Sequence, residues 1–183
     1  HSDGISKLHF EERMLFSGSL DGLVCGFDVS MPNETSALVS VMKPNSPVVK
    51  LGCFGSRGLY CTTSSETLHL FDTYTAHTLF SFDNDLETIG NNCRERLDPN
   101  VHNLVDCLWE PRTQKLILLG GSHSGEVTCA EVTGKGRFES LGPLQNGHTD
   151  VVRCATSLHQ NGGFSIITGG EDGRIVLWTY SKA

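Results

Sequence analysis

Thr168-Gly169-Gly170-Glu171-Asp172-Gly173-Arg174-Ile175-Val176-Leu177-Trp178, with Gly147-His148 and Asp150 upstream, is the stretch on which the fold reading turns. Asp172-Gly173 stands between two apolar runs, a strong hairpin signal because glycine accepts positive φ without steric cost. Pairing those strands brings together His148, the hydroxyl of Thr168, the carboxylate of Asp172 and the indole N–H of Trp178. Such a set stabilises only if each member finds a partner, since a buried donor or acceptor left unpaired costs about 1–3 kcal/mol.

The amino end carries a second copy. His1, Ser17, Asp21 and Phe27 occur in the same order, and the spacings Ser17 to Asp21 and Asp21 to Phe27 repeat those of Thr168 to Asp172 and Asp172 to Trp178. Ser17-Gly18-Ser19-Leu20-Asp21-Gly22 mirrors Thr168-Gly169-Gly170-Glu171-Asp172-Gly173. A histidine at one end of a repeated unit and a strand ending in an aromatic residue at the other are the signature of a four-stranded propeller blade. The expected fold is therefore all-β, a β-propeller of four-stranded antiparallel blades.

Working outward gives four units of short apolar or alternating runs separated by turn residues, at approximately 1–45, 46–83, 104–142 and 147–183. In the second unit Cys61 and Ser65 stand where Ser17 and Asp21 align, so its turn reads as decayed. In the third, Ala130 falls at the tryptophan position, and Gly121-Ser122-His123-Ser124-Gly125 reads as one residue longer than its counterpart. Residues 83–103 read as a long connecting loop with a helical turn near Glu87 to Arg96. Only three strands fit the fourth unit. That shortfall, with a start at His1, suggests part of a larger ring, because closed rings of four-stranded blades leave no exposed sheet edge.

The whole chain has 183 residues, 38% hydrophobic and 19% charged, the make-up of a globular domain with a sizeable core. Its formal net charge of −7 argues against a basic groove for a phosphate backbone, so no direct nucleic-acid binding is expected. No apolar run approaches the ~20 residues that cross a bilayer, and no membrane partner is expected. Cys25, Cys53, Cys61, Cys93, Cys107, Cys129 and Cys154 are scattered without a C-x-x-C pair. They read as reduced thiols, mostly in strands, which points to a cytoplasmic or nuclear setting.

These residues resemble the WD40-repeat, or β-transducin-like, propellers. The likeness is carried by His148, Asp150, Thr168-Gly169-Gly170, Asp172-Gly173 and Trp178, and by His1, Asp3, Ser17-Gly18-Ser19, Asp21-Gly22 and Phe27-Asp28. The resemblance implies a ring of seven blades in the parent molecule. It also implies a structural role for His148, Thr168, Asp172 and Trp178, and for His1, Ser17, Asp21 and Phe27, as a hydrogen-bonded tetrad in each of two blades. Phe27 departs from that pattern, since it has no N–H and leaves Ser17 in need of another donor.

His148, Asp172 and Thr168 are triad-like residue types, yet a nucleophilic hydroxyl needs exposure beside an oxyanion pocket, and their repeat-locked spacing fits blade packing better. No catalytic residue is assigned. His9, His69, His77, His102, His123 and His159 show no H-x-x-x-H or H-E-x-x-H spacing, so no metal site is expected. No phosphate-cradling glycine loop occurs, and neither a cofactor nor a small-molecule substrate is expected.

A non-catalytic scaffold binding other proteins is the expected function, with Asp3, Asp150 and Arg153 as the candidate partner-binding face. The alternatives are a substrate receptor of a ubiquitin ligase, a ribosome- or RNA-processing scaffold, and a propeller-type hydrolase. Family members that dock the ligase adaptor carry an Arg two residues after the Trp-Asp pair, where this chain has Ser30, Tyr74 and Ser181.

Overall fold

The computed structural model describes residues 1–82, 93–134, 136–160 and 163–179. Fifteen strands form four antiparallel sheets among these residues, and helix is limited to two short turns. The first sheet is a meander of β1 (Ile5–Glu11), β2 (Met14–Ser19), β3 (Val24–Asp28) and β4 (Leu38–Met42). The second follows with β5 (Val48–Phe54), β6 (Gly58–Thr63), β7 (Leu68–Asp72) and β8 (Thr78–Phe82). The third comprises β9 (Asn103–Glu110), β10 (Lys115–Gly121), β11 (Val127–Thr133) and β12 (Arg137–Leu144). The fourth has three strands, β13 (Val152–Gln160), β14 (Gly163–Gly170) and β15 (Ile175–Thr179).

Two short helical turns interrupt the strands. One, α1 (Glu34–Ala37), leads into β4 because the Asn33 side chain accepts the Ser36 N–H and satisfies a free helix-start donor. The other, α2 (Cys93–Leu97), covers the later part of the helical turn expected from sequence; residues 83–92 lie outside the described residues. No helix among the described residues is long and apolar enough to cross a membrane.

The chain divides into two compact units, His1–Cys93 and Arg94–Ala183. In the first, Phe16, Val24 and Met42 of one sheet pack on Val48, Leu51, Leu59, Cys61 and Phe71 of the next. In the second, Val105, Leu108, Ile117, Leu119, Val127 and Cys129 pack on Val152 and Ile166, with Trp178 against the cluster's edge. Each core therefore lies between two neighbouring sheets, so a sheet is stabilised through the face it presents to its neighbour.

The repeat is written in backbone as well as in side chains. The first strand of every sheet skips one residue in its pairing, at Ser6, Val49, Val105 and Arg153. A second skip recurs in the last pair of each four-stranded sheet, at Val39, Leu79 and Leu141. Such bulges bend a strand and re-aim its side chains.

The turn between the second and third strands is also shared. Gly22, Glu66, Gly125 and Gly173 all have positive φ, and their N–H groups donate to Ser19, Thr63, Ser122 and Gly170 respectively. Two expectations change as a result. The second unit's turn has lost its signature residues but keeps its backbone course. The third unit's turn is not longer than its counterpart, because the bonds Ser122 N–H to Glu126 and Gly125 N–H to Ser122 match Gly170 N–H to Arg174 and Gly173 N–H to Gly170.

Candidate functional site

In the fourth sheet the four residues marked by spacing meet. The Trp178 indole N–H donates to Thr168 Oγ1 at 2.8 Å, and Thr168 Oγ1 lies 2.8 Å from His148 Nε2. On the far side of the ring, His148 Nδ1 lies 3.0 and 3.1 Å from the two oxygens of Asp172. An ionised carboxylate only accepts, so Nδ1 carries a proton, and in the neutral ring Nε2 then accepts the Thr168 hydroxyl. The chain of donors runs indole to hydroxyl to imidazole to carboxylate, with every member satisfied.

Asp172 collects more than the imidazole. The N–H groups of Thr149 and Arg174 both donate to it, at 2.8 and 3.0 Å. Burial alone would raise its pKa; the Thr149 N–H, the His148 ring and the Arg174 N–H outweigh it and hold the carboxyl at about 2. The carboxylate is therefore a fixed anion that ties the turn after β14 to the segment before β13.

Local geometry explains why glycine precedes the histidine. A Cβ on Gly147 would lie 2.3 Å from Cη2 of Trp178, so the indole rests directly on that backbone. Gly125, with φ +84°, brings the third sheet's turn so close to His148 that a Cβ would lie 2.6 Å from its carbonyl carbon. The histidine side chain is thereby fully enclosed.

The first sheet repeats the arrangement with one member missing. His1 Nε2 lies 2.8 Å from Ser17 Oγ, and His1 Nδ1 lies 3.1 Å from Asp21 Oδ2. Burial works to raise the Asp21 pKa, but the N–H groups of Ser2 and Leu23 overcome it and leave the carboxyl below its ordinary value. Phe27 sits on β3 opposite Leu15, as Trp178 sits on β15 opposite Ile166, and donates nothing. His1 Nε2 accepts the Ser17 hydroxyl as His148 Nε2 accepts that of Thr168, but no indole N–H donates to Ser17 in turn.

The second and third sheets replace the tetrad, each differently. In the second, a buried polar line runs from Thr63 to Thr67, from Thr67 Oγ1 to His69 Nε2 at 2.9 Å, and from His69 Nδ1 to Ser81 at 3.0 Å. In the third, Gly120 stands at the Thr168 position and packs against Leu97 and Val101, while Ala130 pairs with Leu118 at the tryptophan position. An apolar contact fills the place of the polar one. Sequence spacing missed the His69 line because its members lie on different strands and match no repeat.

Asp3, Asp150 and Arg153 are exposed. Asp3 and Asp150 occupy corresponding positions two residues after His1 and His148, and each accepts the N–H of the residue that follows it. Arg153 is the bulged residue of β13, and its Nε donates to Glu171 Oε1 at 2.7 Å. Arg174 reaches back to the Gly147 carbonyl at 3.2 Å. The turn end of the fourth sheet thus displays Asp150, Arg153, Glu171 and Arg174 around a buried, saturated polar core. Beside it, an open polar groove of about 470 Å³ is lined by Ser124, Glu126, Gln145, Asn146, His148 and Thr149.

Comparison with known proteins agrees with this geometry. Residues 139–179 match the family model described as WD domain, G-beta repeat. The chain is 27% identical over 184 residues to the WD repeat-containing protein 89 homolog of Dictyostelium discoideum, covering 98% of this chain and 50% of that protein. It is 30% identical over 193 residues to the WD repeat-containing protein GTS1 of Arabidopsis thaliana, covering 97% and 48%. The chain thus spans about half the length of the curated relatives it matches. Among solved structures, the computationally designed Ika4 protein superposes with a TM-score of 0.64 at 17% identity, over 99% of this chain and 94% of that one. The designed Ika8 protein gives 0.63 at 18%, over 98% and 47%. At such identities these two likenesses concern the fold alone.

Proposed function

Because this chain belongs to the WD40-repeat family, we propose that it acts as a non-catalytic scaffold binding other proteins through the turn-bearing ends of its blades. Proteins of this family are in general interaction scaffolds. The observation that carries the reading is the saturation of the fourth sheet's tetrad. A triad-like nucleophile needs an exposed hydroxyl with an unsatisfied base beside it. Here Thr168 is buried and holds both the indole and the imidazole. The candidate reagents are committed to holding strands.

What the turns offer instead is charge on short, well-anchored loops. Asp150, the Arg153–Glu171 pair and Arg174 are exposed at the turn end of the fourth sheet, and Asp3 occupies the corresponding end of the first. Charged loop residues on a rigid scaffold favour specific, salt-sensitive recognition of a partner of complementary charge.

The test is affinity capture with the full chain, quantified by mass spectrometry, comparing wild type with Asp3→Lys and with an Asp150→Lys/Arg153→Glu double variant. A defined set of proteins lost from the variants but retained by a Glu34→Lys control supports the reading. Capture indifferent to all the turn-end changes rejects these turn ends as binding sites, and turnover of ester, phosphate or glycoside substrates by purified protein rejects the non-catalytic role.

A further inference from the structure

At the other end of β1 from His1 and Asp3, three side chains converge that no repeat position requires. His9 and Glu11 are two residues apart on β1 and share one side of the strand, and Cys53 lies on β5 of the neighbouring sheet in the same unit. One donor atom from each falls within 4.8 Å of the other two, and His9 Nε2 is 3.6 Å from Glu11 Oε2. His9 Nε2 is moreover buried without a hydrogen-bond partner. A buried ring nitrogen left unsatisfied is costly and calls for an explanation.

We propose that His9, Glu11 and Cys53 form a binding site for a thiophilic divalent cation of the zinc class. An imidazole nitrogen, a carboxylate oxygen and a thiolate are the donors that zinc takes, at about 2.0–2.3 Å, with water in the fourth tetrahedral position. Those bond lengths bring donor atoms to about 3.5 Å from one another, so the observed cluster is near its required size. Glu11 is more than half exposed, and its carboxylate can swing the remaining distance. Hard cations are poor candidates, since calcium and magnesium select oxygen donors. The open side faces a groove of about 290 Å³ lined by Glu12, Ser56, Arg57 and Thr73 among others, which provides entry and room for the water.

On binding, the Cys53 thiol gives its proton to solvent and the thiolate sulfur bonds the metal. The ion joins β1 to β5, the first strands of two adjacent sheets. Sequence spacing gave no sign of it, because His9-Phe10-Glu11 is only half a site and Cys53 comes from the next sheet. The expectation of no metal site rested on contiguous motifs, and this cluster is not contiguous.

Cobalt(II), which takes zinc's place with a visible spectrum, tests the proposal on the reduced full chain. Titration is expected to saturate at one equivalent, with tetrahedral d–d absorption and a near-ultraviolet sulfur-to-cobalt band that zinc removes and millimolar magnesium does not. Cys53→Ser is expected to abolish the sulfur band, and His9→Gln and Glu11→Gln to weaken binding at least tenfold. Glu11→Gln guards against misfolding, because that side chain is largely in solvent and its metal-free melting temperature should match wild type. Absence of saturable binding, a band that follows Cys154→Ser instead of Cys53→Ser, or unchanged affinity in both the His9 and Glu11 variants overturns the site.

Discussion

Replacing Thr168 with valine isolates the hydroxyl on which the fourth sheet's polar chain depends. The two side chains have nearly the same shape, so no cavity opens, and the change removes one hydrogen bond on each side of Oγ1. His148 is fully enclosed, and its orphaned Nε2 costs about 1–3 kcal/mol because water cannot reach it. Trp178 is half-buried, so its N–H recovers some hydration and its bond is worth about 0.5–1.5 kcal/mol. The added methyl group returns about 0.8 kcal/mol. The net loss is about 2 kcal/mol, or about 4–8 °C in melting temperature for a chain of this length. Ser17→Ala is the internal control, since Phe27 brings no N–H and only the bond to His1 is lost, at about 1 kcal/mol. Urea denaturation with tryptophan fluorescence and circular dichroism reads both. A Thr168→Val loss under 0.5 kcal/mol, or one no larger than that of Ser17→Ala, refutes the reasoning.

Gly147→Ala is expected to cost about 2–4 kcal/mol by driving a methyl group into the indole and breaking its bond to Thr168, seen as a lower melting temperature with altered Trp178 emission. Asp172, held at about 2 in the folded chain against 3.8 for the free side chain, contributes stability that is present above pH 3.8 and lost as the pH falls towards 2. Unfolding free energies measured from pH 5 to 2 should therefore fall less steeply for Asp172→Asn than for wild type, and parallel curves would contradict the assignment. Glu66→Gly should stabilise by about 0.5–1 kcal/mol, because Glu66 alone among the four equivalent turn residues holds positive φ (57°) with a side chain; equal or lower stability on denaturation would show that its own contacts outweigh the strain.

Much of this molecule is legible in its sequence because a repeat reports itself twice. Thr168 to Trp178 and Ser17 to Phe27 share spacings set by one hairpin, and the hydrogen bonds found at His148 and His1 follow that register. The second and third sheets are harder to read because what recurs there is backbone: the positive φ at Glu66, the bulges at Val49 and Val105, and turn bonds that any residue makes with its main chain. Side-chain identity does not encode these directly. Leu97 over Gly120 and His69 between Thr67 and Ser81 are local solutions to the same packing problem, reached with other chemistry. The cluster of His9, Glu11 and Cys53 depends on how two sheets face each other, which strand patterns leave open.

Polar atoms that bind the fourth sheet's strands together in this way are closed to solvent. Hydrogen exchange at the Trp178 indole tests that closure most directly, since the chain has two tryptophans and ¹⁵N-resolved spectra separate their Nε1–H signals. A Trp178 signal that exchanges slowly in wild type and at near-solvent rates in a folded Thr168→Val variant is the predicted result. Rapid exchange in the folded wild-type chain would contradict it.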